Sequence, residues 1–304
     1  MAISRAQLVK ELEPGLNALF GLEYKRYDNQ HAEIYTNESS DRAFEEEVML
    51  SGFANANVKV EGSGVNYDQS QETYTARYTH DTIALAFAIT EEAIEDNLYD
   101  KISSRYTKAL ARSMSNAKQV KAAAPLNNGL PSVDGFDSGD GVSLFNTSHT
   151  TVSGTNVKNT LTTQADLNET SLEQALIDIA SFTDERGLRV AAKGMKMIIP
   201  SANQFSAERL LKSQGRTGTA DNDINAVASM GMVPQGYRVN NFLTDSDSWY
   251  IITDVPNGMK MFTRAPLTTA MEGDFDTGNV RYKARERYSF GVSDYRGIFG
   301  CEGA

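Results

Sequence analysis

Three histidines, one cysteine and a row of four cations are the side chains with the most chemistry to offer in this chain. His31, His80 and His149 are its only histidines. A hydrolytic triad needs a nucleophile within hydrogen-bond reach of an imidazole. His149 directly follows Ser148, but adjacency along a chain gives no attack geometry. The sequence holds no nucleophile elbow, no His-Glu-x-x-His helix and no phosphate-cradling Gly-x-x-x-x-Gly-Lys. His149 therefore reads as a packed, loop-stabilising residue. Asp134, Asp137 and Asp140 miss the ligand spacing and closing Glu of a calcium loop, so a solvated loop is the expectation there. Cys301 stands alone, which excludes an internal disulfide and a four-cysteine zinc site. Its place near the last residue argues against single-cysteine catalysis, because such segments are usually mobile. No catalytic residue, cofactor or metal is expected.

The cations are more informative. From Val280 to Val292, Val280, Tyr282, Ala284, Tyr288, Phe290 and Val292 alternate with Arg281, Lys283, Arg285 and Arg287, with Glu286 as the exception on the apolar side. That is the period of a strand with one core face and one positive face. Four cations in a row repel one another unless acids or phosphates lie opposite. Acids of the same subunit, carboxylates of an adjacent copy and phosphates of a nucleic acid all fit, and the sequence leaves the choice open.

The elements that must carry these residues can be read in order. Ser4 and Gln7 make a capping box for a short helix bearing Leu8 and Leu12, interrupted at Pro14 and Gly15. A second turn or two follows through Leu19, Phe20 and Leu22, and then a polar segment, 26–40. Together these read as an arm that packs on something else. Asn57 to Glu61 and Thr73 to Ile89 read as two extended arms of a ribbon joined by a polar tip, Gly62 to Gln71. Tyr74 and Tyr78 alternate with polar residues in its distal part, where neither face is a strong core face. Ile83, Leu85, Phe87 and Ile89 harden the pattern at its base. A lone ribbon with so polar a body is marginal in water, so it is expected to lie on a neighbouring molecule.

Thr90 to Ala124 runs without Gly or Pro until Pro125 and predicts one long helix. Ile94, Leu98, Ile102, Tyr106, Leu110 and Met114 recur every fourth residue as its apolar stripe. Pro125 to Leu167 is rich in turn residues and predicts a long loop. Beyond it, Thr170 with Glu173 caps a helix ended by Gly187, Met195 to Pro200 is a short strand, and Ser201 with Gln204 opens another helix. The loop Gly215 to Asp223 follows, and the strands GYRVNNFLT and SWYIIT, with the lone Trp249, complete a mixed α/β lobe.

With 304 residues, 40 acidic against 29 basic and a formal charge of −11, the chain can bury a sizeable core but cannot grip nucleic acid over its whole surface. No apolar run approaches bilayer length, and no basic leader with an apolar signal core opens the sequence, so residence in a cytoplasm is expected.

Four phrases carry a resemblance to a known family: AFAITEEAIEDNLYD leading into the long helix, GVSLFNTSHTT (141–151), SDSWYIITD (246–254) and RYKARERYSFGVSDYRGIFG (281–300). In this order they make the chain resemble the major capsid proteins of tailed bacteriophages with the HK97-like fold, in particular the Mu-like head subunits. The resemblance implies an α+β protein with an N-terminal arm (1–43), an extended hairpin loop (44–85), a peripheral domain with the spine helix 90–124 and a junction loop (86–165), an axial domain (166–260) and peripheral return strands (261–304). It implies no enzyme, but a shell subunit assembled in the bacterial host cytoplasm and residing in the virion capsid. Its partners would be other copies in hexamers and pentamers, a separate scaffolding protein, a portal protein, packaged double-stranded DNA bound without sequence specificity and, in some members, a decoration protein. Intersubunit contacts are expected at Arg281, Lys283, Arg285, Arg287, Tyr74 and Tyr78, and the 215–223 loop is expected near the capsomer axis. Lys59 lies in the loop that some members crosslink, but no partner motif accompanies it. The other fitting class is an encapsulin-like compartment shell, which shares the fold and encloses cargo protein.

Overall fold

The computed structural model describes residues 5–90, 92, 99–130, 135–215, 223–274 and 278–304. The arm is helical from Arg5–Arg26 (α1) and runs straight through Pro14. The predicted break there is not made. α1 lies along the spine helix of its own chain, with Leu16 and Phe20 buried beside Leu110, Ala111 and Met114. The arm thus packs on its own subunit, and this packing is what holds a Pro-containing helix in one piece.

The spine is described over Tyr99–Asn127 (α2). It passes through Pro125, which was expected to close it, and Ile94 and Leu98 of the predicted stripe lie outside the described residues. The observed buried stripe is Ser103, Thr107, Leu110, Ala111, Met114, Gln119, Ala122 and Leu126, whereas Tyr106 and Val120 are about half exposed. A strict four-residue repeat drifts round a 3.6-residue helix. The true face keeps the 3.6 period by accepting small polar residues, which an apolar pattern does not see.

Two sheets carry the rest. The first runs in the order β1 (Thr36–Ser39), β10 (Met259–Gly273), β11 (Val280–Val292) and β4 (Asp81–Ile89). β11 is antiparallel to both neighbours, and β1 joins β10 in parallel. β10 shifts register around Ala265, where Pro266 can sit because β1 has already ended at the level of Thr263. α1 and α2 cover one face, meeting Tyr282 and Ala284 of β11.

The second sheet, β12 (Ile298–Cys301), β9 (Trp249–Thr253), β7 (Gly194–Ile199) and β8 (Tyr237–Val239), builds the lobe with α3 (Glu169–Ala180), α4 (Gln204–Lys212) and α5 (Ala226–Met230). The two late strands, β8 and β9, flank β7 on either side. The cap of α3 is Asn168, in a capping box with Ser171 rather than Thr170 with Glu173. β12 was expected among the return strands and instead completes the lobe sheet. One buried core runs from Tyr35 and Leu126 through Phe145 to Trp249 and Phe299, so the lobe and the first sheet share it.

The hairpin is the largest departure. Its strands are β2 (Phe44–Leu50) and β3 (Glu72–Thr79), while 57–61 is irregular. β4 leaves the ribbon and pairs with β11. The distal part is not bare as expected, whereas at the base Ile89 is buried and Ile83 and Phe87 pack on the core as read, but the other residues do not. Ala76, Tyr78 and His80 are buried, while Thr82, Ala84, Leu85, Ala86 and Ala88 are exposed.

Candidate functional site

The residues with catalytic potential are spent on one another. His149, wholly buried, bonds Asp140 through Nδ1 at 2.6 Å and Asn159 Oδ1 through Nε2 at 3.1 Å. Its ring stacks on Tyr295 at 3.9 Å. Asp140 is thereby turned to the imidazole rather than to a calcium loop, and Asp134 lies outside the described residues. Asn159 is the keystone. Its amide donates to the carbonyls of Leu144, Tyr295 and Ile298, and its carbonyl accepts from Asn146 N. His80 bridges Ser40 and Ser289, and burial with Arg287 nearby holds its pKa below the usual imidazole value. His31 is pushed down to about 4 by burial and by Lys118. Cys301 is buried and exchanges hydrogen bonds with the backbone of Ala165.

Two buried ionic groups were not read from the sequence as units. Arg296 binds Asp294 and Glu185, donates to Thr183 O at 2.9 Å, and lies over the Tyr295 ring. It ties the end of β11 to the lobe. Burial, ahead of the opposing pull of Arg296, raises the Asp294 pKa. Glu286, the exception noted on the apolar side of β11, accepts from Lys118 Nζ at 3.3 Å and faces Tyr24. α1, α2 and β11 are joined at that point. These charges fix elements, and each meets its counter-charge inside the subunit.

What remains open to other molecules is surface. On β11 the inward residues are Val280, Tyr282, Ala284, Glu286 and Tyr288, and the opposite face carries Arg281, Lys283, Arg285 and Arg287. The alternation is as read. At the other end of that same face β3 covers the strand. Tyr78 bonds Ser293, and a Cβ placed on Gly291 would come within 2.6 Å of the Tyr78 ring. Where β3 stops, the cations begin. Arg281 pairs with Asp274. Lys283 and Arg285 stand opposite Ala86 and Ala84 on β4, and Ala270 and Thr268 on β10. Short neighbours leave both heads uncovered, and among the described residues neither has an ion partner. Tyr78 lies inside its own subunit, 3% exposed and edge-on to Phe262. Tyr74 is half-buried beside Tyr295. Neither tyrosine is offered to a neighbour in this arrangement.

The second surface is the hairpin loop. Its root is locked: Glu47 binds Lys260 and Ser293, Ser51 N donates to Gln71 O at 2.9 Å, and Asp68 takes Ala54 N and Arg186. Its crest is bare. Phe53, Val58, Val60, Val65 and Tyr67 are 61–98% exposed, in a stretch with no ladder of its own. Lys59 lies among them, exposed. Most of the 215–223 loop is outside the described residues.

A fold with a packed body, a locked root and an apolar crest suits assembly, and comparison with known proteins decides the matter. A family model described as phage capsid protein matches residues 73–300. This chain belongs to the phage capsid protein family. Among curated proteins none matches the capsid protein in sequence. Solved structures match its fold closely enough to align most of both chains. The capsid of an empty GTA particle superposes with a TM-score of 0.57 at 11% identity, covering 91% of each chain. The procapsid of bacteriophage JBD30 gives 0.54 at 14%, covering 99% of this capsid protein and 77% of that chain. A virus-like particle from Pyrococcus furiosus gives 0.53 at 12%, covering 94% and 98%. The capsid protein therefore has the α+β HK97-like fold, is a structural component of the virion and is not an enzyme.

Proposed function

We propose that this capsid protein is the major head subunit of a tailed double-stranded DNA phage, closing as hexamers and pentamers into an icosahedral shell around the genome. The observation that carries this is the bare apolar crest of the 51–71 loop on a root held by ionic and hydrogen bonds. Exposed Phe, Val and Tyr side chains cost little to leave in water singly, but five within one loop mark a surface to be covered. A second copy supplies the cover at every symmetry position, so a modest gain per contact is repeated around the shell. The family match favours a phage head over a compartment that encloses cargo protein.

The domain division follows the sequence reading, with 44–80 as the extended hairpin and the last strand transferred to the axial lobe. Lys283 and Arg285 face carboxylates of an adjacent copy. A scaffolding protein, a portal protein and, in the finished head, a decoration protein complete the assembly. Electron microscopy of the chain expressed alone and with a candidate scaffold tests this: closed shells are expected. A compact monomer at high concentration under both conditions overturns it. Reversing Lys283 and Arg285 to Glu should weaken assembly more than subunit folding, and equal loss of both would assign the row to contacts within one subunit.

A further inference from the structure

The sheet carries one cationic face, and the helix on its far side carries another. From Arg105 to Asn127 the sequence of α2 contains five cations and no Asp or Glu, in a chain whose formal charge is −11. Two of the five are spent within the subunit: Lys118 on Glu286 and Lys121 on Asp81. Arg105, Lys108 and Arg112 are exposed. None of the three has an ion partner among the described residues. Their spacing of three and four places them on one stripe. That stripe lies roughly opposite the buried line of Thr107, Leu110, Ala111 and Met114, which faces α1 and β11. The three heads therefore point away from the subunit core, on the opposite side of the layer from Lys283 and Arg285.

We propose that this stripe is a contact surface for the phosphate backbone of double-stranded DNA, so that α2 faces the enclosed genome and the cationic row of β11 faces other subunits. The inference rests on the shell reading. Charge complementarity selects the occupant. The three heads have Ala109, Ser113 and Asn116 beside them, and the half-exposed Tyr106 and Val120 lie to one side, so no apolar anchor of the kind a protein interface centres on sits among the cations. Guanidinium and ammonium groups at helical spacing suit a dense, repeating line of phosphates, and such contacts carry no base information. Three cations per subunit are individually weak, and over a closed shell they are repeated in every copy. The bound polymer is held without being fixed in register.

The test uses the full chain as unassembled subunit, with a short double-stranded DNA fragment as probe and binding followed against salt. Three released counterions predict a log–log slope of about −2.7, or roughly a 40-fold loss of affinity for a fourfold rise in salt. The triple variant Arg105→Gln, Lys108→Gln, Arg112→Gln should unfold at the wild-type temperature and still form shells, with a slope near zero. The double variant Lys283→Gln, Arg285→Gln should keep the wild-type slope. Three results overturn the proposal: a wild-type subunit that does not bind the fragment at low salt, an unchanged slope in the triple variant, or a slope lost only in the double variant. Polyglutamate that displaces the DNA at lower charge concentration would also overturn it and assign the stripe to an acidic polypeptide. Normal shells with an unchanged slope sink this inference alone, whereas absence of shells from the wild-type chain sinks the shell reading.

Discussion

Two loops of this capsid protein, both rich in small and polar residues, behave in opposite ways. Residues 51–71 and 135–167 are both rich in Gly, Ser and Asn, and both carry a few apolar side chains. In the second loop Leu144, Phe145, Val157 and Leu161 are all 5% exposed or less. In the first, every large apolar side chain is in water. Thr and Leu occur only in the second loop, but what decides the difference is a polar keystone. Asn159, held in place by His149, satisfies backbone groups of the 135–167 loop from inside, which lets its apolar residues reach the shared core without stranding carbonyls and amides. The 51–71 loop is closed at its root, at Ser51, Ala54 and Asp68, and beyond that holds a tight turn in which Ser63 bonds the Val60 carbonyl. It has nothing within the subunit to descend onto.

Four changes test that contrast, in falling order of their effect on subunit stability. Phe145→Ala should cost about 3–5 kcal/mol in denaturant unfolding, because the ring fills the space between Gly129, Gly300 and Tyr250. A loss below about 1 kcal/mol would mean that the loop is not part of the core. Asn159→Ala should cost about 2–3 kcal/mol by leaving buried backbone groups unpaired. If Asn159→Ala is as stable as wild type, the keystone argument fails. Excising residues 55–67 should leave unfolding within about 0.5 kcal/mol of wild type while abolishing closed shells. Normal particles from that deletion would return the crest to the status of an ordinary surface loop. Arg186→Ala should have the smallest effect, seen only as faster hydrogen exchange at Ala54. The Ala54 amide, then Arg186, hold the Asp68 carboxyl below its usual range. The tether is therefore present at neutral pH and is lost as pH falls through that lowered value. In the variant the loss should come at higher pH.

The strand with alternating cations, the lobe strand at 195–200 and the lone Trp249 as an anchor were legible because each is a local pattern with one strong period. Family resemblance supplied the architecture. What was not legible depended on partners far away in sequence. Nothing near Tyr78 signals that Gly291 will leave room for its ring, so β3 looked two-faced and polar when it is half core. Ser103, Thr107 and Gln119 count as polar in any pattern, yet they line the buried face of α2. Pro14 and Pro125 are read as helix ends by local rules, and tertiary packing carries both helices through them. For the candidate site, the β11 row could be read residue by residue. The α2 stripe could not, because its significance lies in which cations find counter-ions: Lys118 and Lys121 do, and the three before them do not.

The last strand carries a consequence for how the molecule is made. The lobe begins at α3, but its sheet lacks the buried edge at Ile298, Phe299 and Cys301 until those residues have been translated. A ribosome part-way through the message therefore holds a lobe with an open strand edge and an unfilled core. Prematurely terminated products should be left with a sticky edge and fail to complete the lobe, so the lobe closes only when the chain has fully emerged.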